Sequence, residues 1–161
     1  MAIGFCATAA LPACGKKAGP PRGAATPEEA FQGMYDAIRQ EDVDALWALY
    51  SDVTIAQLEE MKTALLGMPP EAFQQQFGLP QSEIVGLDTK ALMARMMRTE
   101  VATKKAEQTP VIDRIETTGP DTARILFRNA EAECRQAVRR IDGRWLIDEN
   151  AACREEARPA P

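Results

Sequence analysis

The sequence contains no histidine. That removes the commonest general base and the commonest metal ligand, and with them every Ser-His-Asp or Cys-His arrangement. Cysteine is scarce: Cys6, Cys14, Cys134 and Cys153 are all there is, and no two have CxxC spacing. A four-ligand zinc site could draw only on cysteines and carboxylates, and the spacing does not offer one, so neither a metal nor a cofactor is expected. Positive charge is in deficit, with 19 Lys and Arg against 24 Asp and Glu and a net charge of −5. A general nucleic-acid binder needs a basic surface to displace counterions, so nucleic acid is not an expected partner. No apolar run reaches the ~18 residues that a bilayer-spanning helix requires. A Gly-rich phosphate loop, an internal repeat and a coiled-coil heptad are also missing. What remains is a chain of 161 residues, 45% hydrophobic and 27% charged, which suits one globular domain with one core.

The first residues behave differently from the rest. "MAIGFCATAALPA" is apolar and rich in small side chains, and polarity switches at "CGKKAGPPRGAATP". Leu11 at −3 and Ala13 at −1 before Cys14 resemble the lipobox of bacterial lipoproteins. That resemblance implies cleavage of residues 1–13 as a signal peptide and lipid on the thiol and new amino terminus of Cys14. Residues 14–25 would then be a flexible Gly/Pro/Lys tether holding a domain off the membrane surface. The implied location is the bacterial cell envelope, with the protein membrane-anchored and facing the periplasm. Pro12 at −2 and the lack of Lys or Arg near Met1 depart from the pattern. A start codon further upstream, plain secretion and a cysteine that carries nothing are the other readings.

The last third reads as sheet. Asp142–Gly143 between "ECRQAVRRI" and "RWLIDEN" predicts a two-residue type I′ hairpin. Val138 then faces Ile147, Arg140 faces Trp145 and Cys134 faces Ala151. Cys153 shares a face with Cys134 one diagonal step away, about 7–8 Å, so the strand end must bend for the two to form a disulfide. Two buried thiols are the alternative. A turn at Asn129–Ala130 sets Ile125 opposite Cys134 and Phe127 opposite Ala132. A three-residue Gly119–Asp121 loop sets Ile115 opposite Ile125. The expected inner face is Val111, Ile115, Ala123, Ile125, Phe127, Cys134, Val138, Trp145 and Ile147, and the outer face carries Arg114, Arg124, Arg128, Arg135, Arg139 and Asp148. This is a four-stranded antiparallel meander covered on one side.

Helices must supply the cover. Thr26, Pro27 and Glu29 form a capping box, and Ala30, Phe31, Met34 and Ile38 follow helical spacing. "EDVDALWALYS" continues the pattern, a third helix is expected after Thr54, "PPEAFQQQFG" is a short helix stopped by Gly78, and Asp88 caps "TKALMARMMRTEV". The expected fold is α+β: N-terminal helices packed on a curved four-stranded sheet. The domain spans 26–153, carries a helical insertion over about 54–107, and is followed by a disordered tail, 154–161. "ATPEEAFQGMYDAIRQEDVDALWALYS" followed late by "RRIDGRWLID" resembles the nuclear transport factor 2-like or cystatin-like fold. The resemblance implies a cone-shaped cavity between sheet and helices. Its members include isomerase- and cyclase-like enzymes, ligand binders and secreted domains.

The polar residues expected to point into such a cavity are Asp113, Gln136 and Glu149. In isomerase-like members an inward carboxylate is the base, raised in pKa by apolar walls. Asp113 could take that role or guard a sheet edge against pairing. Asp113 and Glu149 lie roughly 15–20 Å apart in a flat sheet and cannot share a proton. Tyr35 and Tyr50, the two tyrosines, sit on helices with no predictable aim. Glu149 faces Gln136 as a cross-strand pair. Met93, Met96 and Met97 are core under a helix, with Arg95 and Arg98 on its solvated side. The favoured function is therefore a non-enzymatic domain, anchored to the membrane through lipid, that binds a small apolar ligand or an envelope protein. The alternative is a ketosteroid-isomerase- or cyclase-like enzyme on the same fold.

Overall fold

The computed structural model describes residues 22–99, 110–129, 132–149 and 151–155. Helices come first. α1 (Pro27–Arg39) starts where Thr26 Oγ1 accepts from Glu29 N at 3.1 Å and the Glu29 carboxylate accepts from Ala25 N at 3.0 Å. Ala30, Phe31, Met34 and Ala37 form its buried stripe. α2 (Val43–Leu49) is capped by Asp42, α4 (Pro70–Phe77) ends at Gly78, and α5 (Thr89–Met97) is capped by Asp88. A 3-10 turn at Gln81–Glu83 lies between the last two. α3 (Asp52–Leu66) begins earlier than the sequence reading has it. Ser51, not Thr54, is its cap, because the Ser51 hydroxyl accepts from Thr54 N at 3.2 Å. Thr54 is buried in the first turn and donates its hydroxyl to the Ile147 carbonyl at 2.7 Å.

The sheet is antiparallel and open. β1 (Val111–Gly119), β2 (Thr122–Asn129), β3 (Ala132–Ile141) and β4 (Arg144–Ile147) run in sequence order, and β5 (Ala152–Glu155) pairs with β3 beyond the end of β4. The fold is thus α+β, with the helices preceding the sheet. Asp142 and Gly143 both take positive φ, as the type I′ hairpin requires, and Val138↔Ile147 and Arg140↔Trp145 pair as expected. Ile115↔Ile125 also pairs as expected.

Three registers differ from the sequence reading. Phe127 pairs with Cys134 and Ile125 with Gln136, two residues along from the expected partners, since the ladder closes at Asn129↔Ala132. A shift of two leaves every side chain on its face, so the alternation of apolar residues cannot detect it. In β1 a bulge falls at Asp113, between Ile112↔Phe127 and Arg114↔Leu126. The extra residue reverses the alternation, so Ile112 turns inward and Val111 is 57% exposed instead of buried. At the other end, β4 stops at Ile147 and the chain re-enters as β5 with Cys153 opposite Cys134, not Ala151 opposite Cys134.

α1 lies across β2, β3 and β4, and the main core gathers there: Phe31, Met34, Leu46, Ile125, Phe127, Val138 and Ile147. A second core sits in the helical insertion, where Phe73, Leu79, Ile84 and Leu92 are buried together. α5 joins the two, with Met97 and Met93 in the first and Met96 against the second. Arg95 pairs with Glu83 and Arg98 with Glu41 on its outer side.

The edge of β4 is covered by chain expected to be a free tether. Ala24 exchanges backbone hydrogen bonds with Trp145, each 2.9 Å, and Gly23 N donates to the Ala48 carbonyl at 2.8 Å. Gly23 has φ +78, and a Cβ there would stand 2.8 Å from Arg144 Cβ, so only glycine fits. This strap explains Leu146, which has outer-face parity yet is 2% exposed. Asp148, expected outside, is buried; it sits where β4 ends and accepts from Arg139 Nε at 2.9 Å. The expected domain end at 153 falls inside β5, which continues to Glu155.

Candidate functional site

α1 turns two kinds of side chain toward the start of β1. Phe31 and Tyr35 are one helical turn apart and lie over Phe127 of β2. The ring centroids are 5.0 Å apart for Phe31–Tyr35, 4.7 Å for Phe31–Phe127 and 6.4 Å for Tyr35–Phe127. Tilted and edge-on pairs at these distances suit aromatic quadrupoles. The bulge at Asp113 adds Ile112 to the group by pairing it with Phe127. A groove of about 420 Å³ opens here, bounded by Glu28, Phe31, Gln32, Tyr35, Asp36, Arg39, Pro110 and Ile112. Its floor is aromatic and aliphatic and its rim is polar. Gln32 donates to Glu28 at 3.2 Å, and Arg39 is paired with Asp36.

Burial pushes the Tyr35 hydroxyl above its ordinary range, so it stays a neutral donor at any physiological pH. Such a groove can hold a small flat apolar molecule and offer one neutral hydroxyl to it. A second, shallower crevice of about 530 Å³ lies beside Trp47, Glu59, Lys62, Thr63, Asp88, Thr89 and Lys90. Charges of both signs line it, and Lys90 is already paired with Asp44 at 2.5 Å.

The three polar residues expected inside a cavity do not meet. Asp113 is exposed, carried outward by its bulge, and pairs with Arg128, whose Nη2 lies 2.9 Å from Oδ1. Glu149 is exposed, because β4 has already ended at Ile147. Gln136 is buried, and its amide donates to the Ala137 carbonyl at 3.0 Å and to the backbone carbonyl of Glu149. The expected Gln136–Glu149 pair therefore exists through the main chain of Glu149. It satisfies a carbonyl where the chain passes from β4 to β5 and pairing along β3 is interrupted.

Cys134 and Cys153 are joined in a disulfide across β3 and β5, with Cα atoms 4.0 Å apart. Cys6 and Cys14, with the whole lipobox, lie outside the described residues. Among the described residues no three Cys, Asp or Glu side chains gather as a metal ion would need, and no helix is long and apolar enough to cross a membrane. The groove itself was missed at the sequence level. Phe31 and Tyr35 at i, i+4 were visible, but Ile112 and Phe127 join them only through the bulge and a contact nearly a hundred residues away.

No family model, no curated protein and no solved structure matches the chain.

Proposed function

We propose that the protein is a lipid-anchored bacterial envelope protein whose domain, of the nuclear transport factor 2-like kind, binds a small apolar ligand in the groove between α1 and the start of β1. The observation that carries the binding reading is the apolar floor of Phe31, Tyr35 and Ile112, backed by the buried Phe127 ring, beneath an open polar rim. The anchor rests on "LPAC" ahead of a Gly/Pro/Lys tether. A disulfide between Cys134 and Cys153 suits an oxidising compartment such as the periplasm. The isomerase-like alternative loses the residue it rested on, since Asp113 faces solvent beside Arg128.

Two measurements test the two halves. Expressed in a bacterium with its full leader, the wild-type chain should partition into detergent and Cys14→Ser should release it. A fully soluble wild type with an unmodified Cys14 by intact mass ends the anchor reading. For the groove, an environment-sensitive apolar dye such as N-phenyl-1-naphthylamine should gain fluorescence on binding, and Ile112→Asp should abolish the gain. Equal dye binding by wild type and Ile112→Asp, with both folded, ends the ligand reading.

A further inference from the structure

Charge is divided unevenly between the two layers. Residues 26–99 hold twelve acidic and five basic side chains, whereas residues 110–155 hold nine and eight, and all eight cations there are arginines. The strand alternation gathers six of them, Arg114, Arg124, Arg128, Arg135, Arg139 and Arg154, on the face of the sheet away from the helices, and all six are exposed. Apart from the Gly23–Ala24 strap over Leu146 at its β4 margin, no described helix packs on that face. Arg114 and Arg135 flank Leu126 on the neighbouring strands, and Arg124 is the next outward residue along β2. Leu126, Ala137 and Ala152 between them keep the surface low.

The carboxylates on this face are Glu116, Glu133 and the bulged Asp113, with Asp148 at its margin. Arg114 is paired with Glu116 at 2.8 Å, and Arg139 with Asp148 at 2.9 Å. Arg124 and Arg135 form no ion pair with any described residue. A flat arginine face on a chain of net charge −5 is a one-sided field, and guanidinium groups bind phosphate oxygens in bidentate fashion.

We infer that the outer face of the sheet docks on a bilayer surface carrying anionic phospholipid headgroups. The acidic helical layer then points away from the membrane, and the open groove beside α1 stays accessible. The choice of a membrane over an acidic protein rests on the proposed anchor at Cys14, which keeps the domain within a tether's length of a lipid surface. Lys16 and Lys17 in that tether add to the same attraction.

The test uses the full chain carrying Cys14→Ser, so that attachment by lipid plays no part. It should sediment with vesicles containing phosphatidylglycerol, sediment much less with pure phosphatidylcholine, and dissociate as salt is raised. Each basic residue at an anionic surface is worth about fivefold in partitioning, so Arg124→Glu with Arg135→Glu should weaken binding ~25-fold or more. Lys62→Glu with Arg98→Glu makes the same change in net charge on the helical layer and should change binding little.

Three results would overturn the inference: no preference for phosphatidylglycerol, equal binding by the wild-type face and the double arginine variant, or equal losses from both charge reversals. An unlipidated chain that passes while the wild type proves to carry no lipid would sustain the docking face and remove the anchor. A lipidated wild type whose Arg124 and Arg135 contribute nothing would do the reverse.

Discussion

The two cores of this domain are built on different principles. The main core joins α1 and α2 to strands about eighty to 120 residues later, and the sheet beneath it is continuous through three ladders. The second core draws Phe73, Leu79, Ile84 and Leu92 from one stretch of twenty residues, with Leu65, Met68 and Phe77 around them. The first is non-local, hydrogen-bonded across elements and tied by a disulfide. The second is local and held by packing, with the Gln81 side-chain amide donating to the Leu65 and Met68 carbonyls at 2.9 and 3.0 Å. Equal burial in the two therefore does not mean equal resistance to opening. A region closed by local contacts opens without disturbing its neighbour.

The sharpest test of that contrast is a matched pair of deletions. Phe127→Ala and Phe73→Ala each remove a fully buried ring, a change that costs about 3–5 kcal/mol in a packed core. Phe127→Ala should lower the global unfolding midpoint by the full amount. Phe73→Ala should instead expose amides of α4 and the 3-10 turn to hydrogen exchange while β2 and β3 stay protected. Uniform loss of protection in both variants would show a single cooperative core. Next in size is the disulfide. Its two cysteines are 19 residues apart, and closing a loop of that size is worth about 3 kcal/mol. Cys153→Ser should lower the melting midpoint by roughly 10 °C and leave the second core's exchange unchanged. Two free thiols in unreduced, denatured protein from the periplasm would remove the bridge.

Smaller effects probe the edges of the main core. Gly23→Ala forces a Cβ against Arg144 and Trp145 in a left-handed conformation, so it should cost more than ~1 kcal/mol and release the strap. Exchange at Trp145 N, which donates to Ala24, would report it. The smallest effect is at high pH. Burial holds the Tyr50 hydroxyl above its ordinary range, so the folded chain favours the neutral form. That contribution is intact below the unfolded value of about 10 and is lost as pH rises through the folded value. Tyr50→Phe should flatten the fall in melting midpoint above about pH 10. An identical fall in both proteins would place the titration elsewhere.

Much of the sheet was legible because each signal was local. Asp142–Gly143 names its own turn, and Ile115 opposite Ile125 is the pairing that keeps apolar residues together, although the expected three-residue loop is a two-residue connection after Gly119↔Thr122, with a register shift between Thr117 and Gly119. The parts that were not legible share a cause. Alternation reports the face on which a residue lies, not the partner it meets, so the two-residue shift between β2 and β3 left no trace in the pattern. A bulge has no composition of its own, and Asp113 was placed inward by an alternation the chain does not keep. Asp148 is expected outside, and Leu146 shares its strand parity, but what covers them, the end of β4 and the Gly23–Ala24 strap, arrives from elsewhere. Thr54 opens a T-x-x-Q cap pattern, yet Ser51 accepts from the Thr54 amide itself, so the helix has already begun three residues earlier. For the site, the legible part was the disulfide pair, chemistry written in residue type. The groove is a property of assembly.

The strap at Gly23 and Ala24 also sets how the domain bears load. Held by its N-terminus, the domain would receive any pull on the chain first at the two Ala24–Trp145 hydrogen bonds, with Gly23 N on Ala48 and Arg144 Nη2 on the Gly23 carbonyl beside them. These bonds lie along the margin of β4, while α1 begins three residues further in at Pro27. Under tension they would part before the helix is drawn on, lengthening the leash by a few residues and leaving the core closed. The strap would thus act as a mechanical fuse between the domain and whatever holds its N-terminal end.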